Sequence, residues 1–211
     1  MVPSAIVIGG GGHGAVVVAT LRLAGQTVLG FVDPSPDPDR ARRLAVPRLG
    51  DDSALANFPP GSVVLANGLG SINGTIRRSS RYEDLAAVGY GFIDVRHPTS
   101  NIADDAVLAP GTQVMAGAIV QTGCLIGENV LINTGVIVEH DCQIEAHAHI
   151  ASGAVLAGGV QVGRGAHVGC GAVVMQGVII GAGAVIGAGT VVISEVTAGA
   201  TVVGNPGRCR P

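Results

Sequence analysis

Residues 102–126 read IADDAVLAPGTQVMAGAIVQTGCLI, with an aliphatic side chain at every sixth position. The period continues without a break to residue 192. Its aliphatic positions are Ile102, Leu108, Val114, Val120, Ile126, Ile132, Val138, Ile144, Ile150, Leu156, Val162, Val168, Val174, Ile180, Ile186 and Val192. A small residue stands two places before most of them. This period predicts stacked β coils of three hexads each, because one large and one small side chain per hexad fill a narrow triangular core.

The composition agrees with a narrow core. Of the 211 residues, 34 are glycine, only 2% are aromatic and none is tryptophan. The net charge of −3 shows no footprint of nucleic-acid binding. All twelve basic residues are arginine. The lack of lysine excludes a Schiff-base lysine and a Walker-type phosphate loop.

The first 97 residues follow a different pattern. An apolar run is followed by a glycine cluster, a segment of helical length and a second apolar run that ends at Asp33. Predicted elements are strands at 5–9, 27–32, 63–66 and 91–94, helices at 13–24 and 75–88, and a loop at 33–39. We therefore predict an α/β plus β-solenoid fold: a Rossmann-like βαβ domain over 1–97 and a β-helix over 98–211, ending in a short tail from residue 204.

The cysteines and the start of the chain bear on its environment. Cys142 follows Cys124 by three hexads, which places one coil above the other, and the two are predicted to be reduced core thiols rather than a disulfide. The cysteines show no zinc-type spacing. No signal-peptide pattern is visible, and no apolar run is long enough to span a bilayer as a helix. We expect a cytoplasmic protein without a membrane segment.

A glycine cluster follows the first predicted strand. Residues 9–14 read GGGGHG and fit the pattern G-x-G-x-x-G, and Asp33 ends the next strand. Glycines let a phosphate approach the backbone, and the helix N-terminus that follows favours an anion. Three interpretations remain open: binding of a nucleotide phosphate, a tight strand–helix turn without a ligand, and binding of NAD.

Four histidines fall within the repeats. His167 follows His149 by three hexads, which stacks the two on one face of adjacent coils. The hexads offer no carboxylate beside this pair, so we predict no metal site. His147 and His167 are expected at exposed corners.

The run Glu139-His140-Asp141-Cys142 is the sharpest polar cluster. His140 follows a core position by two residues, which places it at a corner or an outward site. A histidine beside an acid can act as a general base whose tautomer the acid fixes. The alternative is a solvated polar turn.

Several motifs occur together and in order. They are residues 6–13 (IVIGGGGH), Val32-Asp33, His97-Pro98, Asn133-Thr134-Gly135, His140-Asp141-Cys142, Gly158-Gly159-Val160 and Gly204-Asn205-Pro206. With them the chain resembles the sialic-acid O-acetyltransferase-like sugar acyltransferases. Within that family it is most similar to nucleotide-sugar N-acetyltransferases of 4-amino-sugars, a group that includes the bacillosamine and perosamine enzymes.

The resemblance implies a homotrimer with a left-handed coil, in which acetyl-CoA binds in the groove between neighbouring helices. It implies that the N-terminal domain holds a nucleotide-linked amino-sugar, and that the product enters polysaccharide biosynthesis. It also implies His140 as catalytic base, Asp141 as its orienting partner and Asn133 beside the reaction centre.

The remaining site residues divide between the two substrates. By resemblance, Gly11, Gly12, His13 and Asp33 would contact the nucleotide, and His149 and Gly158 the CoA thioester or pantetheine. Arg208, one of two basic residues near the end of the β-helix, is a further candidate for a CoA phosphate.

The chain departs from common family patterns at Gly14-Ala15, at Pro206-Gly207-Arg208 and over residues 67–71 (NGLGS). These departures leave the sugar and its nucleotide (UDP, GDP or dTDP) open. Separately from these departures, three alternatives to N-acetylation stay open: sugar O-acetylation, a non-catalytic nucleotide-sugar-binding subunit and, more distantly, a zinc carbonic anhydrase.

Overall fold

The computed structural model describes residues 3–71 and 74–210. The chain divides into two compact units. Of the described residues, the first contains 3–70 together with 77–98, and the second contains Ser71, 74–76 and 99–210. Ser71 and residues 74–76 therefore group with the second unit although they precede residue 97. Within that unit, the Thr75 hydroxyl donates a hydrogen bond to the Gly165 carbonyl at 2.8 Å.

The first unit is built on a four-stranded parallel sheet with the strand order β3-β2-β1-β4. Its elements are β1 (Ala5–Ile8), α1 (Gly12–Leu23), β2 (Val28–Val32), α2 (Pro38–Leu44), β3 (Arg48–Gly50), a 3₁₀ helix (Asp52–Asn57), β4 (Val64–Asn67), α3 (Ile76–Ala87) and β5 (Val95–Arg96). The β1 side chains are all buried, as expected of a strand covered on both faces of a parallel sheet. The predicted Rossmann-like unit is confirmed.

Two details of this unit differ from the prediction. The predicted strand at 91–94 is reduced to one bridge between Phe92 and Leu65, and the regular strand β5 follows it. The predicted loop at 33–39 runs into α2, which begins at Pro38. Asp37 caps that helix by accepting a hydrogen bond from the Asp39 N–H at 3.0 Å. A capping residue followed by a proline at the first helical position is a start signal for a helix. Here the signal was obscured because the surrounding segment is rich in proline and was interpreted as a loop.

Every hexad of the second unit contributes a two-residue strand, which confirms the predicted β-helix. The coil is left-handed. Each strand pairs in parallel with the strand three hexads later, so that the strands form three walls. The first wall holds Asn101–Ile102, Ile119–Val120, Ile137–Val138, Val155–Leu156, Val173–Val174 and Val191–Val192. The second holds Val107–Leu108, Leu125–Ile126, Gln143–Ile144, Gln161–Val162 and Ile179–Ile180. The third includes Gln113–Val114, Leu131–Ile132, His149–Ile150, His167–Val168, Val185–Ile186 and Thr201–Val203.

The interior of the prism contains the large and small residues of the period. Val138, Ile150 and Leu156 are fully buried, as are the small residues Cys124 and Cys142. Both cysteines are free thiols, and their Sγ atoms lie 3.2 and 3.3 Å from the backbone carbonyls of Glu139 and Ala157.

The corners of the coils require a left-handed backbone conformation. Nearly all of these positions are glycine, with φ close to +65 to +75°. Three are not: Asn129 (φ 54°), Asp141 (φ 60°) and His147 (φ 64°). An L-residue in this region costs about 1 kcal/mol, so each exception calls for a compensating contact.

The predicted C-terminal tail is instead the second strand of a hairpin. Arg208–Cys209 pairs antiparallel with Thr201–Val203, which adds a last strand to the third wall. The chain can reverse there because Gly204 has φ 97° and Gly207 packs where a Cβ would lie 2.9 Å from the Val202 side chain. Among the helices in residues 3–71 and 74–210, none combines the length and apolar character that crossing a bilayer requires.

Candidate active site

His140 lies at the corner between the first and second walls. Its Nδ1 is 2.8 Å from Oδ2 of Asp141. The carboxylate only accepts hydrogen bonds, so Nδ1 carries the proton and Nε2 presents its lone pair. The His140 side chain is 52% exposed, which leaves this lone pair accessible to a reactant.

Two glycines make room for the pair. A Cβ on Gly158, one coil above, would lie 2.6 Å from both Cε1 and Nε2 of His140. A Cβ on Gly123, one coil below, would lie 2.5 Å from Oδ1 of Asp141. Gly158 is therefore placed by the structure against the His140 ring.

The electrostatics suit a proton acceptor. The hydrogen bond that His140 donates to Asp141, together with the charges of Asp141 and Glu139, raises the pKa of His140 above its ordinary value, against a smaller opposing effect of desolvation. A more basic imidazole accepts a proton more readily once it is neutral.

A second polar group lies on the third wall. His149 Nε2 is 3.2 Å from Nδ2 of Asn133, and His149 Nδ1 is hydrogen-bonded to the hydroxyl of Ser71. His149 also meets His167 edge to face, with ring centroids 4.8 Å apart, as the three-hexad spacing predicted.

These residues border a cavity of about 290 Å³. It is lined by Ser71, Asn133, His149, His167, Cys170 and small or aliphatic residues, with no charged side chain. Nδ1 of His167 is buried without a hydrogen-bond partner among the described residues. Burial lowers the pKa of His167, which keeps its ring neutral.

Five of the site residues predicted in the β-helix thus fall into two groups. His140, Asp141 and Gly158 share one corner, whereas Asn133 and His149 belong to the third wall and the corner that follows it. The two groups lie on different parts of one prism.

In the first unit, the glycine cluster separates into two kinds of position. Gly9 has φ 96°, a Cβ on Gly10 would lie 2.4 Å from the Phe31 ring, and a Cβ on Gly14 would lie 2.1 Å from the Gly9 carbonyl. The fold therefore requires glycine at positions 9, 10 and 14. At Gly11 and Gly12, φ is not positive and a Cβ would meet no atom within 4 Å. Packing within the protein therefore does not require glycine at these two positions.

Asp33 organises this turn. Its carboxylate accepts hydrogen bonds from the N–H groups of Gly10 (2.7 Å) and Ser35 (2.8 Å) and pairs with Arg40 at 2.6 Å. Burial raises its pKa, but these hydrogen bonds and the Arg40 charge outweigh that effect and leave the pKa lowered. The carboxylate is therefore ionised at neutral pH.

A crevice of about 240 Å³ opens at the carboxyl ends of β1 and β2, beside β4. Ligands bind at this edge in open α/β sheets. Gly9 and Asp33 line it, whereas Gly11, Gly12 and His13 do not. Sequence analysis missed Arg77, Ser80, Arg81 and Asp84 of α3, which also line it. Their spacing of three and four residues was the available signal, because it places them on one helical face.

Three expectations about single residues need comment. His147 lies at a corner but is 2% exposed, because its Nδ1 packs 2.9 Å from Nδ2 of Asn129 one coil below. The prediction of exposure is wrong for His147. His167 does not lie at a corner: it belongs to the strand His167–Val168 of the third wall and is half-buried. Arg208 is exposed in the terminal hairpin. Among the described residues, no group of three histidine, cysteine or acidic side chains could hold a metal ion.

Comparisons with known proteins bear on the identity of the chain. Residues 4–80 match the family described as the PglD N-terminal domain, and residues 123–158 and 159–194 match the bacterial transferase hexapeptide (six repeats). The structure of the acetyltransferase domain of PglB from Neisseria gonorrhoeae, in complex with acetyl coenzyme A, is 30% identical, with a TM-score of 0.89 and 100% of both chains covered. The chain belongs to this family of hexapeptide-repeat sugar acyltransferases.

Further solved structures of similar proteins support the assignment to this family. PerB from Caulobacter crescentus, in complex with CoA and GDP-perosamine, is 34% identical with a TM-score of 0.91, covering 100% of this chain and 99% of that one. Two variants of the perosamine N-acetyltransferase, each with one histidine replaced, were also solved with these ligands. WeeI from Acinetobacter baumannii, 24% identical with a TM-score of 0.83 and 98% and 99% of the chains covered, shares the fold. A comparison with curated protein sequences returned no match.

Proposed function

We propose that the protein transfers the acetyl group of acetyl-CoA to the amine of a nucleotide-linked 4-amino-sugar. The nitrogen lone pair attacks the thioester carbonyl carbon, His140 Nε2 takes the proton lost by the nitrogen, and the C–S bond breaks to release CoA. Asp141 holds the ring in the reactive tautomer. The observation that carries this proposal is the exposed Nε2 of His140, backed by Asp141 and stacked on Gly158.

The nucleotide belongs to the first unit in this proposal. Gly11, Gly12 and His13 receive the phosphates at the start of α1, and Asp33 acts by fixing the turn before them. The uncharged cavity beside His149 suits the pantetheine arm of acetyl-CoA, while Arg208 is available to a CoA phosphate. Because acetyl-CoA is a cytoplasmic metabolite, we expect the enzyme to work in the cytoplasm.

A homotrimer would complete the site. The outward positions of the second wall expose Val107, Leu125 and Ile179, each more than 40%, with Gln143 and Gln161 between them. Flat walls with exposed aliphatic side chains associate, and a threefold arrangement closes the contact. It would also place the His140 corner of one chain against the third wall of its neighbour. Light scattering should give about three times the 20.9 kDa chain mass; a monomer at micromolar concentration would contradict a site shared between chains.

The activity is tested by release of the CoA thiol. Acetyl-CoA is offered with 4-amino-sugars linked to UDP, GDP and dTDP, and each amine is paired with the matching 4-hydroxy sugar. We expect thiol release with at least one amine and none with its hydroxy partner. Release only with hydroxy sugars would make the enzyme an O-acetyltransferase.

Binding is measured separately by the melting temperature. A ligand of the folded state at a hundredfold excess over Kd stabilises it by about 2.7 kcal/mol, so a true substrate gives a clear shift. A shift with a nucleotide sugar but no thiol release from any substrate would indicate a binding subunit without catalysis.

A further inference from the structure

The orientation of the Asn133 side chain is fixed by its own backbone. Its Oδ1 accepts a hydrogen bond from the Thr134 N–H at 2.8 Å. Turning the amide over would set the NH₂ group against that N–H, so this orientation is the favourable one. The NH₂ group of Asn133 therefore faces Nε2 of His149, at 3.2 Å.

This contact selects the tautomer of His149. An amide nitrogen only donates, so Nε2 of His149 has to accept and cannot carry a proton. The neutral ring then has its proton on Nδ1, and Nδ1 donates to the Ser71 hydroxyl. The hydrogen bonds run in one direction, from Asn133 through His149 to Ser71.

This series of hydrogen bonds, here called the relay, ends at the Ser71 hydroxyl, which can donate a further hydrogen bond. Because the Ser71 oxygen accepts from His149, its own proton is available to another acceptor, and Ser71 lines the third-wall cavity. No charged side chain lines this cavity, whereas Ala151, Val185 and Ile186 give it an apolar surface. Such a lining suits an uncharged thioester arm and does not suit a diphosphate, which requires cationic or multiple N–H donors.

We propose that the Ser71 hydroxyl donates a hydrogen bond to the thioester carbonyl oxygen of acetyl-CoA and stabilises the oxyanion formed when the amine adds to it. The proposal rests on the function proposed above. The serine proton stays on Oγ throughout: the carbonyl oxygen gains negative charge as nitrogen bonds to carbon and loses it when CoA leaves. Asn133 and His149 are positioning residues, since they act through Ser71. The loss of one such donor typically costs about 10² to 10³ in kcat.

Kinetics give the first test. Ser71→Ala should lower kcat about 100-fold and leave the KM of the amino-sugar nearly unchanged, while Ser71→Thr, which keeps the hydroxyl, should retain most of the activity. Ser194→Ala, at an exposed position, is the matched control and should behave as the wild type. A normal kcat in Ser71→Ala would overturn the proposal, as would equal losses in the alanine and threonine variants.

A spectroscopic test needs no acceptor sugar. With acetyl-CoA labelled with ¹³C at the carbonyl, the infrared carbonyl band of the bound thioester should lie at higher wavenumber in Ser71→Ala than in the wild type, because a hydrogen bond has been lost. An unchanged band would overturn the proposal. A shifted band in a protein that acetylates no amine would keep Ser71 as the carbonyl donor and reject the proposed acceptor. A protein that does not bind acetyl-CoA would refute both proposals.

The relay is tested through the tautomer of His149. Nitrogen NMR should show Nδ1 protonated and Nε2 bare in the wild type. In Asn133→Asp a carboxylate faces Nε2, which should move the proton to Nε2 and make Ser71 donate to Nδ1 instead. The carbonyl band should then match that of Ser71→Ala, and the double variant should show no further shift. A wild-type ring protonated on Nε2, or a band in Asn133→Asp equal to that of the wild type, would contradict the relay.

Discussion

His140 and His147 occupy neighbouring corners of the β-helix, yet their surroundings differ in kind. At one corner, Asp141 adopts the left-handed conformation and its carboxylate holds Nδ1 of His140, whose side chain is 52% exposed. At the next, His147 is itself left-handed, buried, and hydrogen-bonded to Asn129 in the coil below. Both corners carry strain that glycine would avoid.

The difference shows how to separate structural from chemical polar residues in a repeat. The cost of the left-handed backbone at His147 is offset locally, by a buried hydrogen bond between Asn129 and the ring. At Asp141 the compensation is an exposed hydrogen bond that leaves one reactive atom uncommitted. Exposure of that remaining atom distinguishes the two corners.

Replacing each histidine by alanine should separate the two roles. A general base contributes about 10² to 10⁴ in rate, so His140→Ala should lower kcat by an amount in that range while both KM values and the melting temperature stay close to those of the wild type. Raising the pH should partly restore this variant, because more of the substrate amine is already neutral.

His147→Ala is the matched variant. It removes the buried hydrogen bond between the Asn129 amide and the ring and opens a cavity, so we expect a loss of about 2–3 kcal/mol in the free energy of unfolding and little change in kcat. Urea unfolding and steady-state rates measure the two effects. A large kcat loss in His147→Ala, or a normal kcat in His140→Ala, would remove the distinction between the corners.

The adjacent glycines Gly158 and Gly159 give a second pair of matched variants, which tests the His140 corner itself. In Gly158→Ala the new methyl group would lie 2.6 Å from the His140 ring and displace it, so kcat should fall about tenfold or more, as small misplacements of reacting groups do. Gly159→Ala puts a methyl group in open space, but at φ 67° it should cost about 1 kcal/mol of stability with kcat retained. Equal kcat values in the two variants would show that Gly158 does not support the His140 ring.

Much of the fold follows from the sequence because the hexad period dictates it. The period fixes each strand of the β-helix and the corner positions of His140 and His147. It does not fix exposure, because the residue one coil away decides whether a corner is covered, as Asn129 covers His147.

The two groups of site residues also differ in how far the sequence alone predicts them. The pair of His140 and Asp141 could be read from the chain because its members are adjacent. Ser71 could not be linked to His149, 78 residues away, since only the folded chain brings a segment outside the repeats onto the third wall. The spacing of the α3 side chains places them on one helical face, but it does not show that this face borders the crevice, which only the folded chain does.

Asp33 extends the comparison to the first unit, where its carboxylate is engaged by protein groups of the same unit. Asp33→Ala removes the acceptor for the Gly10 N–H and the partner of Arg40, so the glycine turn loosens. The KM of the nucleotide sugar should rise about five- to tenfold, on the scale of about 1 kcal/mol for one ordinary hydrogen bond, and the KM of acetyl-CoA should stay nearly constant. Asp39→Ala, which removes an exposed ion pair with Arg42, is the control. Equal rises in both KM values would indicate general destabilisation.

The central claim, that His140 acts as a base tuned by Asp141, is tested most directly by the pH dependence of kcat/KM. Below the pKa of His140 the ring is protonated and cannot accept a proton, so kcat/KM should fall as the pH drops through that raised pKa, above 6.5. Asp141→Asn keeps a residue that tolerates φ 60° but removes the main cause of the raised pKa. The acid limb should therefore move to lower pH in Asp141→Asn, with a smaller loss of kcat than in His140→Ala. The substrate amine titrates identically with both enzymes, so it cannot produce this shift. An acid limb at the same pH in both enzymes would contradict the claim.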